Sequence, residues 1–138
     1  MNVTDNLRGK NVLLTGGGSG MGQATALALA KNGANVAIAG RNKENLNATV
    51  SLAQATEKIS AKEADVTDRN SLENLFQWFD AEFGRLDYLV HAAGINVAMR
   101  SMEELSPDDW DRLIQINLTG SYNVLRLTLS RMRPQKKV

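Results

Sequence analysis

At 138 residues, with 43% hydrophobic and 22% charged side chains and 16 Lys plus Arg against 15 Asp plus Glu, the chain has the make-up of one soluble globular domain. A net charge of +1 excludes a broad field for nucleic acid or an anionic membrane, and the absence of cysteine excludes a disulfide framework, a thiolate zinc site and a cysteine nucleophile. The segment from Met1 to Lys10 lacks the hydrophobic core of a secretory signal and no stretch is long and apolar enough to span a bilayer, so the chain reads as cytoplasmic, with no metal site.

The first element is a short apolar strand, Val12 to Leu14, ending at Thr15. A glycine turn follows, and then an alanine- and leucine-rich helix running to Asn32, with Gly33 as its C-terminal stop. Val36 to Ala39 read as a second strand of the small-residue kind found in buried parallel sheets. Asn42 can cap a second helix, on which Leu46, Val50 and Ala53 recur on one face. Ile59 to Asp65 carry Lys62 and Glu63 within a weak alternation, which suits an outermost strand where charge discourages unwanted pairing.

Thr67 is the predicted cap of a third helix, whose Leu72, Leu75, Phe76, Phe79 and Phe83 form the clearest apolar stripe in the sequence before Gly84 ends it. Leu86 to Val90 are the fourth strand. Ser106-Pro107-Asp108-Asp109 then opens one long helix, with a cap, a proline at the first turn and early acids, that Pro134 closes. Strand and helix thus alternate four times, which predicts an α/β, doubly wound parallel sheet with helices on both faces. The basic tail, Arg131, Arg133, Lys136 and Lys137, reads as ordinary helix-end and loop cations.

Thr15-Gly16-x-x-x-Gly20-x-Gly22 stands between a strand and a helix. A phosphate rests on a helix's N-terminal N–H groups only where the approaching backbone carries no obstructing side chains. Gly16 makes the turn, Gly20 permits close approach and Gly22 lets the helix pack. The spacing is not G-x-G-x-x-G, because that pattern starting at Gly16 needs a glycine where Met21 stands. At the end of the second strand, Ala39-Gly40-Arg41-Asn42 has no acid to accept from the ribose hydroxyls of NAD. Arg41 can fork onto the 2′-phosphate of NADP, so NADP is favoured and NAD is the alternative.

These residues resemble the short-chain dehydrogenase/reductase family, with a leaning toward its 3-oxoacyl carrier-protein reductase branch. The family's glycine motif has this T-G-x-x-x-G-x-G spacing, and its later landmarks follow in order: Asp65-Val66, Leu86 to Gly94, and Ile116-Asn117-Leu118-Thr119-Gly120. The resemblance implies a Rossmann-type sheet of strand order 3-2-1-4. It also implies a nicotinamide nucleotide held by Gly16, Gly18, Ser19, Gly20, Met21, Arg41, Asp65, Val66, Ala92, Ala93 and Gly94, with Asp65 on the adenine. Asn117 corresponds to the family's active-site Asn, which anchors a water relay. His91 and Ala92 stand where the family's turn has two Asn. The single histidine invites a proton-transfer role. Without a placed partner, however, a structural role anchoring the strand end is preferred.

The family's Ser and Tyr-x-x-x-Lys do not occur here, and Tyr122-x-x-x-Arg126 departs from the pattern in residue and place. The expectation is a single, incomplete dinucleotide-binding domain over residues 1–138, from an oxidoreductase acting on a small carbonyl or alcohol and inactive by itself. The alternative is a non-catalytic nucleotide-binding or dimerising module derived from the family. The family also uses the long helix in a subunit interface. An open edge on the fourth strand adds to the expectation of a homo-oligomer, with Trp110, Leu113, Val124 and Leu127 as core or interface residues.

Overall fold

The computed structural model describes residues 6–135, so the first five residues and the tail cations Lys136 and Lys137 lie outside the described residues. Its strands are β1 (Asn11–Thr15), β2 (Asn35–Gly40), β3 (Lys58–Glu63) and β4 (Tyr88–His91). They form one parallel sheet of order β3-β2-β1-β4. The helices are α1 (Gly20–Lys31), α2 (Lys43–Leu52), α3 (Arg69–Phe83), α4 (Pro107–Leu113) and α5 (Gly120–Met132).

Because strand side chains alternate between faces, β1 and β2 feed two cores at once. Leu13, Ala37 and Ala39 join α3 and α5 through Leu72, Phe76, Phe79, Val124 and Leu127. Val12, Leu14, Val36 and Ile38 join α1 and α2 through Ala26, Ala30 and Leu46 on the other face. The predicted double winding is therefore realised, and α5 is held to α3 by the Arg131–Asp80 ion pair at 2.8 Å, with the Arg131 guanidinium over the Phe76 ring.

Several boundaries differ from the sequence expectation. Asp68 caps α3 in place of Thr67, accepting from Asn70 N–H at 2.8 Å and Ser71 N–H at 3.1 Å. A carboxylate complements the helix N-terminus better than a hydroxyl does, and the Thr67 hydroxyl is spent on Asp65 Oδ1 at 2.7 Å. Strand β3 ends at Glu63, before Asp65, because the Asp65 N–H turns to Ser71 Oγ at 3.0 Å.

Strand β4 begins at Tyr88; Leu86 is buried ahead of it, and Asp87 Oδ2 accepts from Asn11 N–H at 2.9 Å. Burial works to raise the Asp87 pKa, but the hydrogen bonds from Asn11 and Arg85, with Lys10 nearby, outweigh it and hold the carboxyl below its ordinary value. The predicted single long helix is broken: between α4 and α5, residues Ile114–Thr119 form a π-helical turn, and Pro134 sits in a short 3-10 turn after α5 has ended. The wide turn places Gly120 so close to Val66 that a Cβ there would lie 2.6 Å from Val66 Cγ2.

Candidate functional site

The carboxyl ends of all four strands point to one edge of the sheet. In parallel α/β sheets the binding crevice opens at that edge, where the strand order reverses. Here the reversal lies between β1 and β4. A cavity of about 370 Å³ occupies it, lined by the glycine turn, the end of β2, the segment after β3 and the turn after β4.

The turn is shaped by two glycines. Gly16 has φ +75°, and a Cβ on it would meet the Ala92–Ala93 peptide at 2.7 Å. A Cβ on Gly22 would lie 2.0 Å from the Gly16 carbonyl oxygen, so Gly22 lets α1 close on the turn itself rather than on the strand. Nothing lies within 4 Å of a Cβ position on Gly20, which keeps the cavity side open there. The turn is tied down by Gly16 N–H to Ala39 O at 2.8 Å and by Thr49 Oγ1, which donates to Gly17 O at 2.9 Å. Ser19 occupies the N-cap of α1, but its side chain caps nothing and no acid stands in the first turn. The helix start is thus an electropositive group of N–H donors at the cavity wall.

All eleven residues expected to hold the nucleotide line this cavity: Gly16, Gly18, Ser19, Gly20, Met21, Arg41, Asp65, Val66, Ala92, Ala93 and Gly94. Among the described residues Arg41 brings the only positive charge to the lining, and it also borders a smaller recess with Glu63, Ala64, Asp65 and Ser71. One Asp65 oxygen, Oδ1, is occupied by Thr67 N–H at 2.8 Å and the Thr67 hydroxyl. Leu72 and Leu75 of α3 also line the cavity. Their place on the helix's apolar stripe marked them only as core.

Asn117 sits on the π-turn beside the cavity, which its neighbour Ile116 lines. Both ends of its amide grip the loop after β4, with Oδ1 accepting from Ile95 N–H at 2.8 Å and Nδ2 donating to Ile95 O at 2.9 Å. His91 is half-buried at the end of β4, and burial pushes its pKa below the ordinary value. It does meet partners, Thr15 and Ser121, in keeping with an anchor of the strand end. Tyr122 and Arg126 lie away from the cavity; Tyr122 is exposed and Arg126 pairs with Glu73 at 3.6 Å.

Residues 10–138 match the sequence pattern of the family described as short chain dehydrogenase. The chain belongs to that family. It is 37% identical over 134 residues to a 3-oxoacyl-[acyl-carrier-protein] reductase of Thermotoga maritima, a match covering 94% of this chain and 53% of that protein. It is also 37% identical to a short chain dehydrogenase/reductase of Macrophomina phaseolina, covering 96% of this chain and 77% of that one. Among solved structures, the 3-ketoacyl-(acyl-carrier-protein) reductase of Brucella melitensis, complexed with NADH, superimposes with a TM-score of 0.86 at 30% identity, over 93% of this chain and 52% of that one. The chain spans about half the length of most of the curated short chain dehydrogenase relatives it matches. Nicotinamide nucleotide binding and oxidoreductase chemistry are the family's shared properties, and among the described residues no helix is long and apolar enough to cross a membrane.

Proposed function

We propose that this chain supplies the nucleotide-binding part of an NADP(H)-dependent short-chain oxidoreductase that interconverts a small carbonyl compound and its alcohol in the cytoplasm. The observation that carries this reading is the cavity at the β1–β4 reversal, with an uncapped helix start on one wall and Arg41 on its rim. The cradle fits a dinucleotide: the helix start of Gly20 and Met21 takes the pyrophosphate, Asp65 and Val66 take the adenine with Leu72 and Leu75 buried behind them, and Ala92, Ala93 and Gly94 leave room for a ribose. Arg41 takes the 2′-phosphate by a bidentate contact. Its charge offsets Glu63 and Asp65, which share the smaller recess.

When bound, the cofactor supplies or accepts hydride at its nicotinamide ring. The residues of this chain bind and orient it, and Asn117, fixed at both amide ends, holds the loop after β4 against the π-turn at the cavity's edge. Titration of the folded chain with each nucleotide tests the reading. NADPH is expected to bind about tenfold or more tighter than NADH, the scale of one charge-assisted contact. Equal affinities, or NADH the tighter, defeat the NADP assignment, and binding of neither defeats the function.

The same chain is proposed to self-associate. Trp110, Ile114, Leu118, Tyr122, Leu125 and Leu129 recur at helical spacing along α4, the π-turn and α5, and all are exposed. Val124 and Leu127, on the other side of α5, are core residues. A contiguous apolar face of this kind marks an interaction surface. Sedimentation velocity is expected to show a concentration-dependent dimer or larger species that Leu118→Glu with Leu125→Glu reduces to monomer. A wild-type chain that stays monomeric at high concentration removes the proposal.

A further inference from the structure

Thr15, His91 and Ser121 form a hydrogen-bonded chain from the floor of the cavity to the π-turn. His91 Nδ1 lies 2.7 Å from Thr15 Oγ1, and Nε2 lies 3.0 Å from Ser121 Oγ. The supply of protons sets its direction. Ser121 has one hydroxyl proton and donates it to the Asn117 carbonyl oxygen, so it must accept from His91, which places the imidazole proton on Nε2. Nδ1 is then an acceptor, and the Thr15 hydroxyl donates to it. The Thr15 oxygen in turn accepts the Ala93 N–H at 3.3 Å. Every donor in the chain has an acceptor, and the sequence of bonds joins the turn at 92–94 and the end of β1 to the segment that carries Asn117.

We propose that His91 is a positioning residue of the nucleotide site, which in its neutral Nε2–H form locks the cavity turns to the π-turn, and that protonating it undoes the lock and weakens nucleotide binding. The inference rests on the nucleotide-binding reading above. A proton on Nδ1 would face Thr15 Oγ1 with a second donor and leave the Thr15 hydroxyl proton to find another acceptor, on a residue only 1% exposed. A buried donor without a partner is costly, so the turn must shift.

Burial already disfavours the charged imidazole and is the sole cause of its lowered pKa. Strand β1 and the π-turn contain no ionisable side chain. On α5 the ionisable groups are the exposed Tyr122, Arg126 paired with Glu73, and Arg131 paired with Asp80, while Tyr88 stands at the far end of β4. Because the folded imidazole titrates below its ordinary value, the lock is fully present above that value and is lost only as pH falls further, through the folded pKa.

NADH is the probe, since the 2′-phosphate of NADPH titrates in the same range. Its dissociation constant is expected to stay level from pH 8 to neutrality and to rise toward a limit of about fivefold as the solution is taken into the acid range below the ordinary imidazole value, the scale of one lost hydrogen bond. His91→Asn keeps an acceptor for Thr15 and cannot titrate, so its profile should be flat; an acid limb of equal size in that variant overturns the proposal. Nitrogen-15 NMR of the wild-type chain is independent of any variant's folding. It should show the Nε2–H tautomer and backbone amide shifts at Ala93 and Asn117 that titrate with His91. An Nδ1–H tautomer, or amides that do not follow, also overturns it. Absence of nucleotide binding at every pH overturns the function proposed above, whereas amides at Ala93 and Asn117 that fail to titrate with His91 overturn the lock even where nucleotide binds.

Discussion

Gly22→Ala is expected to destabilise the folded chain by about 2 kcal/mol and to abolish measurable nucleotide binding. Two effects oppose each other at this position. Alanine is the better helix former by about 1 kcal/mol, and Gly22 stands in the first turn of α1. Against this, the added Cβ would sit 2.0 Å from the Gly16 carbonyl oxygen and 2.8 Å from its carbonyl carbon, both backbone atoms of a turn that is itself pinned to Ala39. Overpacking of this kind costs about 1–3 kcal/mol or more because the backbone has to move, so the clash outweighs the propensity gain.

Gly20→Ala is the control. Its Cβ meets nothing within 4 Å, so the protein's own cost is the φ of +52°, about 1 kcal/mol for an L-residue. Yet the methyl intrudes where the phosphate is proposed to rest. Urea unfolding at unchanged m reads the stability, and nucleotide titration reads the site. A Gly22→Ala chain as stable as the parent, with full nucleotide affinity, would show that α1 does not close on the turn as described.

Replacing Arg41 by aspartate should invert the cofactor preference. The residue stands one place beyond the end of β2, and among the described residues it is the one cation on the cavity wall. Loss of a bidentate contact to a phosphate is expected to cut NADPH affinity roughly tenfold to a hundredfold, and a carboxylate at the strand end offers the acceptor that ribose hydroxyls use, so NADH should gain. The guanidinium is exposed, which places the effect toward the lower end at physiological salt and makes it larger as salt is lowered. Arg41→Lys keeps the charge without the planar fork and should fall between the two. A ratio of NADPH to NADH affinity that Arg41→Asp leaves unchanged would remove Arg41 from the specificity argument.

The elements whose causes are local are legible in the sequence itself. The apolar stripe of α3, the stop at Gly84, the cap at Asn42 and the cap and proline opening α4 each follow from side chains within a turn or two of one another. The boundaries that slipped were set by competition. Thr67 is a sound cap in isolation, but Asp65 claims its hydroxyl and Asp68 stands one residue on. The predicted uninterrupted helix hid a π-turn, because an extra residue in a helical turn leaves the apolar recurrence nearly unchanged, and what the turn accommodates, Gly120 against Val66, is distant in sequence.

The order of residues along the chain determined, by itself, the alternation of strands and helices, the family and eleven of the residues that line one cavity. Periodicity, glycine spacing and capping are short-range constraints written directly into neighbouring side chains. Tertiary structure alone decided that Gly22 meets Gly16, that Leu72 and Leu75 are cavity wall as well as core, and that His91 stands between Thr15 and Ser121. Those contacts join residues up to 76 positions apart, and a hydrogen bond's direction depends on the partners that the sheet brings together, which no local pattern encodes.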